Sequence, residues 1–238
     1  MEALNKESCQ TIFYGVNYVV ASEWPSQPVQ RAEFQKVLAE NQVSFDQTVA
    51  GVRNFTLIRK EQSPLQVKIA SLGPQVSNVG INSQYPSYTA DMFLKDADTV
   101  LDVYRRTLLR EPCQILQSGA TVHQLYSCSD HAFKYLWEQR LNQDPQDFSH
   151  LGKPVLGGGL RLVMPPIKGD VEPVQIELKI ESFLREPNKM YIEIMFVWPQ
   201  PRLLRPEQKF DPEFRLKKVE KYAIREVWEF LTKSDSAS

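Results

Sequence analysis

Apolar and polar residues alternate most regularly in two neighbouring stretches of the second half, "VQIELKIESF" and "MYIEIMFVW". The apolar positions are Val174, Ile176, Leu178 and Ile180 in the first stretch and Met190, Ile192, Ile194, Phe196 and Trp198 in the second. A period of two is typical of a half-buried strand, and the intervening "REPNK" predicts a turn. The two stretches therefore predict an antiparallel hairpin.

Further strands are predicted over 12–20, 48–60, 65–72, 77–84 and 114–128, and another begins in the glycine run Gly157–Gly159. In the 65–72 stretch, Leu65, Val67 and Ile69 alternate with polar or small residues. The prolines lie between these segments, where they mark boundaries and predict turns. The sequence therefore predicts eight strands.

Four segments have apolar residues at the spacing of a helix instead. Phe34, Val37 and Leu38 predict a short helix over 28–41, and a period near 3.6 predicts a long one over 89–110 with Thr89 as its N-cap. Asp130 is the predicted cap of a third helix that includes Phe133, Leu136, Trp137 and Leu141. The fourth covers 212–232, with Asp211 as N-cap and Pro212 at its first position.

The order of these elements is the same in the two halves of the chain. Residues 1–111 and 112–238 each contain the predicted series strand, helix, three strands, helix, which indicates a diverged tandem duplication. Amphipathic helices can cover one face of half-buried antiparallel strands. We therefore expect an α+β fold, in which two long helices cover a curved antiparallel sheet of about eight strands and both halves form one integrated domain.

Composition excludes several classes of protein. Hydrophobic residues make up 42% and charged residues 24% of the chain, as is typical of folded globular proteins. The formal net charge of -1 gives no basic excess for nucleic acid, and acidic residues interrupt the basic residues of 205–225. We expect no membrane insertion, no signal peptide and a cytoplasmic location, where Cys9, Cys113 and Cys128 would remain reduced.

The stretch "YPSYTADMFLKDADTVLDVYRRTL", the following "QILQSGATVHQLY" and the closing "IREVWEFLTKS" resemble an uncharacterised, sporadically distributed family of bacterial proteins. Members of that family have about this length and no known function, so the resemblance implies no catalytic residue. Duplicated antiparallel sheets with helices on one face serve several unrelated purposes, and the fold alone leaves function open.

The only glycine run, in "VLGGGLRLVMPP", could in principle bind a phosphate. A phosphate loop opens a helix, however, and here Leu160, Leu162 and Met164 alternate with Arg161 and Val163 before two prolines. We interpret the run as a bend or a close backbone approach at the start of a strand. Replacing Gly158 should then cost stability, while Arg161 is retained as a candidate anion contact.

Other residues could carry chemistry, but each has a simpler interpretation. Cys128 and His131 could form a thiolate dyad, yet a lone cysteine at a strand end is usually a buried small hydrophobe. The carboxylates Glu177, Glu181 and Glu193 alternate as a solvated strand face does. His123 has no second ligand pair at the spacing of a zinc site. We expect no metal, no cofactor and no catalytic residue.

Aromatic residues concentrate at strand ends and at strand-to-helix connections. They are Tyr14, Tyr18, Trp24, Tyr85, Tyr88, Trp198 and Trp228. Core packing explains most of them, but they also suggest an aromatic-lined groove between the halves. The candidate groove residues are Tyr85, Tyr88, Arg161, Trp198 and Trp228.

Two functions follow from these observations. The preferred hypothesis is a non-enzymatic binding or assembly module that uses this groove or an unpaired strand edge to bind a protein partner or a second copy. The alternative is a small-molecule-binding protein or enzyme with a pocket between sheet and helices. A closed polar cavity that contains His123 or Arg161 together with a carboxylate would favour the alternative.

Overall fold

The computed structural model describes residues 4–22, 28–109 and 112–233. The first half contains β1 (Leu4–Ala21), α1 (Pro28–Glu40), β2 (Gln47–Ala50), β3 (Asn54–Arg59), β4 (Leu65–Gly73), β5 (Val76–Gln84) and α2 (Ala90–Leu108). No helix in the described ranges is long and apolar enough to cross a membrane.

The second half begins with β6 (Cys113–Cys128) and α3 (Ala132–Lys134), which continues as a π-helical turn over Tyr135–Arg140. A 3₁₀ turn, Pro145–Leu151, leads to β7 (Gly159–Met164), β8 (Gln175–Ser182), β9 (Lys189–Trp198) and β10 (Arg202–Leu204). The chain closes with α4 (Pro212–Tyr222), a π-helical turn (Ala223–Val227) and α5 (Trp228–Thr232).

The ten strands of the described ranges belong to one antiparallel sheet, in the order β2-β3-β4-β5-β1-β6-β9-β8-β7, with β10 paired to β6. The long strands β1 and β6 lie side by side at its centre. The outermost strands of this order are β2 and β7. The α+β class and the curved antiparallel sheet are therefore confirmed.

The predicted number of strands was too low, for two local reasons. The stretch 48–60 is a hairpin and not a single strand, because the chain turns at Gly51, whose N–H donates to the Asn54 carbonyl at 2.7 Å. The short strand β10 was not predicted, and it pairs with the beginning of β6. Each half therefore has one strand more than the predicted series.

One face of the sheet, the inner face, forms the core with the helices. Tyr14, Val16, Tyr18 and Val20 of β1 are buried there together with alternate residues of the neighbouring strands. The helix α2 contributes Phe93, Ala97, Val100 and Tyr104, and α4 contributes Leu216 and Val219. The other face carries the intervening residues of each strand, and we call it the outer face.

Two of the three predicted helix caps differ from the structure. Thr89 caps α2 as predicted, since its Oγ1 accepts from the Met92 N–H at 3.4 Å. The cap of α3 is His131 and not Asp130, because the His131 ring Nδ1 accepts from the Phe133 N–H at 3.2 Å. Asp211 occupies the N-cap position of α4 but makes no capping hydrogen bond, since its carboxylate is bound by other side chains.

The glycine run enters β7, where Gly159 pairs with Glu181 of β8. A methyl group on Gly159 would lie 2.0 Å from the Ile180 carbonyl oxygen, a backbone atom that cannot move away. A methyl group on Gly158 would meet the side chain of Phe133 at 3.1 Å. The run is thus a close backbone approach, and the strongest requirement for glycine lies at Gly159.

Replacing Gly159 with alanine should therefore lower the free energy of unfolding by about 1–3 kcal/mol, the usual cost of overpacking a tight site. Gly158→Ala should cost less, because the Phe133 ring can shift by a few tenths of an ångström. Urea denaturation of both variants measures the difference. Equal losses for the two variants would contradict this account of the bend.

Candidate binding surfaces on the sheet

The five predicted groove residues lie in three separate places. Tyr85 and Tyr88 follow β5 at one end of the sheet, where the Tyr85 N–H donates to the Ile12 carbonyl at 2.8 Å. The Tyr88 hydroxyl donates to the Pro64 carbonyl at 2.9 Å. Tyr85 is 58% exposed, and its φ of 48° places it in the left-handed region.

Trp198 lies at the opposite end of the sheet. It pairs with Ser118 of β6, which in turn pairs with Tyr18 of β1, six residues beyond Ile12. Six residues of strand correspond to about 20 Å. The tyrosines and Trp198 therefore do not share a groove.

The other two candidates lie apart from Trp198 as well. The Trp228 ring is 5.5 Å from the ring of Tyr126, on the inner face, and Arg161 lies on the outer face of β7. Trp24, also noted in the sequence, lies outside the described residues. The structure does not bring the five candidates together.

Trp198 is instead part of a buried polar cluster, which we call the Arg215 cluster. The Arg215 guanidinium lies 4.4 Å from the Trp198 ring and pairs with Glu172 at 2.6 Å and Asp211 at 2.9 Å. The Asp211 carboxylate also accepts from Arg202 and, at 3.2 Å, from the Tyr18 hydroxyl. These contacts occupy Asp211 and explain why it does not cap α4.

The outer face carries a row of side chains that crosses five adjacent strands. In order from β1 to β7 the row consists of Phe13, His123, Glu193, Lys179 and Arg161. The Phe13 ring stacks on the His123 ring with the centroids 4.4 Å apart. The predicted candidates His123 and Arg161 therefore belong to one surface, although they lie on non-adjacent strands.

His123 is held in a chain of hydrogen bonds. The Tyr191 hydroxyl donates to Glu193 Oε2 at 2.9 Å, so its oxygen can accept from His123 Nδ1–H at 3.1 Å. Burial lowers the pKa of His123 and outweighs the opposing effect of Glu193, while Lys179 lowers it further. Near neutral pH the ring is uncharged, and its Nε2 lone pair lies 3.9 Å from Glu193 Oε1.

The remaining carboxylates of this face are paired with its cations. Glu177 binds Arg161 at 2.6 Å, and Glu181 binds Lys179 at 2.9 Å. Such partly exposed pairs contribute little to stability. This arrangement agrees with the predicted solvated face, and each cation of the row already has an acidic partner.

Cys128 and His131 do not form a dyad. Cys128 is 7% exposed, and burial raises the pKa of its thiol to about 11, so the thiolate is scarce at neutral pH. His131 uses Nδ1 to cap α3. Within the described part of the chain, no three His, Cys, Asp or Glu residues are placed to hold a metal ion.

A cavity of about 660 Å³ lies between α3 and the connector that precedes β7. Phe133, Lys134, Phe148 and Lys153 are among its lining residues. None of the lining residues belongs to a strand, so this is not the predicted pocket between sheet and helices.

The strand β7 forms one edge of the sheet, and its backbone groups alternate in direction. The Ser182 N–H donates to the Gly158 carbonyl at 3.0 Å, so Gly158 and every second residue after it point towards β8. The N–H and C=O groups of Gly159, Arg161 and Val163 therefore point away from the sheet. They form a row that another strand could pair with.

Apolar side chains surround this edge. Leu162 is 39% and Val163 54% exposed on the strand itself. Leu156 and Leu184 are exposed near the N-terminal end of β7, where Leu184 lies against Gly157. Ile167 and Val171 are exposed beyond its C-terminal end. Leu162 and Val163 were not among the predicted functional residues, although their alternation had predicted the strand.

The opposite edge is less suited to pairing. There β2 has only four residues, "QTVA", all exposed, and Val49 is its one large apolar side chain. Short polar edge strands resist association, whereas longer apolar ones favour it. The β7 edge is therefore the better candidate for a binding surface.

Comparison with known proteins identifies no relative. No family model matches the chain, and a search of curated proteins finds no match. The family resemblance suggested by the sequence therefore stays a prediction, and functional conclusions rest on the surfaces described above.

The state of His123 predicts a pH dependence of folding. Because its pKa is lower in the folded protein than the ordinary value of about 6.5, the unfolded chain binds a proton more readily. The contribution of neutral His123 to the free energy of unfolding should therefore be fully present above pH 7. It should be lost as the pH falls through 6.5. Urea unfolding at pH 8.0 and 5.5 should show a smaller acid loss for His123→Gln than for the wild type. An equal loss in both proteins would exclude this role of His123.

Proposed function

We propose that this protein is a non-enzymatic assembly module, and that its β7 edge pairs with the β7 edge of a second copy. The observation that carries the proposal is the row of outward backbone groups at Gly159, Arg161 and Val163, set among exposed apolar side chains. Unpaired edges of this kind associate unless charge, proline or a covering segment protects them. Here Arg161 is the only charged residue of the strand.

The sequence of β7 is suited to antiparallel pairing with itself. If Leu162 lies on the twofold axis, Arg161 pairs with Val163 of the second copy, and Leu160 lies opposite Met164. Arg161 and Val163 then supply the outward N–H and C=O groups that hydrogen-bonded pairs require. The alternative register, with Arg161 on the axis, would place two like charges opposite each other.

The surroundings of the strand are complementary under the same twofold symmetry. Leu156 and Leu184 lie near the N-terminal end of β7, and Ile167 and Val171 follow its C-terminal end. An antiparallel arrangement places the N-terminal end of β7 in one copy beside the C-terminal end of β7 in the other. The exposed apolar side chains of both copies would then bury one another beside the shared strands.

We also infer that the two halves arose by tandem duplication. Support comes from the order of strands on either side of the central pair: β1 is followed outward by β5, β4 and β3, and β6 by β9, β8 and β7. In each half, a helix follows the first strand and another follows the last. In this scheme β3 and β7 are equivalent. β2 covers β3, whereas no strand in the described ranges covers β7.

The substitution Leu162→Cys tests the pairing directly. In the proposed register the two Leu162 residues form a non-hydrogen-bonded pair with Cα atoms about 4.5 Å apart, within reach of a disulfide. We expect Leu162→Cys, in a Cys9→Ser background, to give a covalent dimer on mild oxidation. Cys9 is removed because it is exposed, while Cys113 and Cys128 are buried.

The matched control is Val49→Cys on β2, in the same Cys9→Ser background, which should form no covalent dimer under the same conditions. A second variant, Val163→Pro, removes an outward N–H without touching a bond to β8, so it should weaken the dimer at least tenfold while the urea midpoint stays nearly unchanged. Sedimentation measures the oligomeric state of both variants, and urea unfolding measures the midpoint. A wild-type protein that remains monomeric at high concentration, together with a Leu162→Cys variant that forms no cross-link, would refute the proposal.

A further inference from the structure

Three buried hydrogen-bond donors of the Arg215 cluster have no acceptor among the described residues. They are Trp198 Nε1, Arg202 Nε and Arg215 Nε. Trp198 is 3% and Arg215 6% exposed, and the three donor atoms themselves are buried. Nearly all buried donors in folded proteins have a partner, so three together indicate that an acceptor belongs here.

The contacts within the cluster bring the three residues that carry these donors together. Arg202 and Arg215 bind different oxygens of the same Asp211 carboxylate, and the Arg215 guanidinium lies over the Trp198 ring. Phe214 lies on Arg215 as well, with its ring 5.2 Å from the guanidinium. The cations are thus fixed in position before any ligand arrives.

The charges of the cluster favour an anion. Its cations are Arg202, Arg215 and Lys218, and its carboxylates are Asp211 and Glu172, which leaves one positive charge in excess. Tyr18 adds no negative charge, because burial beside Asp211 raises its pKa well above the ordinary value. The excess donors and the excess charge therefore point to the same kind of ligand.

The neighbouring cavity limits how much charge that ligand can carry. A cavity of about 530 Å³ adjoins the cluster, and Asp91, Asp98, Asp211 and Glu213 are among its lining residues. Carboxylates beside the site repel a dianion more strongly than a monoanion. The cluster borders the solvent at Arg202 and Lys218, whose side chains are 36% and 37% exposed.

We propose that the Arg215 cluster binds a small monoanion of the carboxylate class, which accepts hydrogen bonds from Trp198 Nε1 and from the Nε atoms of Arg202 and Arg215. Arginine is well suited to this task, because its planar guanidinium matches the geometry of a carboxylate. The three donors lie on β9, β10 and α4 and not on β7, so binding does not require a second copy of the chain.

The indole N–H signals of the protein provide a direct test. In a titration of the full chain with sodium acetate at constant ionic strength, the Trp198 Nε1–H signal should move downfield and saturate. Trp198→Phe assigns that signal by its loss. Trp137 is the internal control, since its Nε1 is also buried without an acceptor but its ring contacts are the rings of Phe133 and Phe148.

A charge variant separates anion binding from a structural role. Arg202→Gln should weaken acetate binding at least tenfold while the Trp198 signal remains visible. Arg53→Gln, in the exposed turn between β2 and β3, should leave binding unchanged. Phosphate at pH 8, mainly a dianion, should bind more weakly than acetate.

Three outcomes would overturn the proposal. The first is a shift that does not saturate or that occurs equally at Trp137. The second is acetate binding that Arg202→Gln does not weaken. The third is a Trp198 indole that exchanges magnetisation with a bound water and does not respond to acetate, which would assign the missing acceptor to water. Phosphate binding as tight as that of acetate would overturn the monoanion class.

Discussion

The pairing of β1 with β6 is the interaction on which the rest of the structure depends. These strands have 18 and 16 residues, and their register runs from Leu4 opposite Cys128 to Ala21 opposite Gln114. Each is the first strand of its half, so every later strand can be added only on the outside. The two halves consequently share one sheet and one core. The same arrangement leaves β2 and β7 as the outermost strands of the described order.

Much of the fold could be predicted because its signals are local. Alternation over 174–183 and 190–198 is a property of neighbouring residues, and the hairpin of β8 and β9 follows from it. The caps show where local reasoning ends. Thr89 caps α2 through a residue three positions away, but Asp211 binds Tyr18, which is 193 residues away in the sequence. The spacing of residues along the sequence cannot predict that contact.

The candidate surfaces were less predictable for the same reason. The sequence singled out His123 and Arg161, yet the row that joins them depends on the register of five strands, and Phe13 and Tyr191 were not suspected. The predicted aromatic groove combined residues from opposite ends of the sheet, because strand direction was unknown. Val163 could be assigned to a strand from its neighbours, but its place at an edge follows only from the complete strand order.

Pairing of the outward backbone groups of β7 with a second copy would protect their amide protons from exchange. Amide hydrogen exchange of Arg161 and Val163, measured at low and high protein concentration, detects this protection. Both amides should become protected as the concentration rises, while the amides of β2 exchange at the same rate throughout. Rapid exchange of Arg161 and Val163 at every concentration would exclude the pairing.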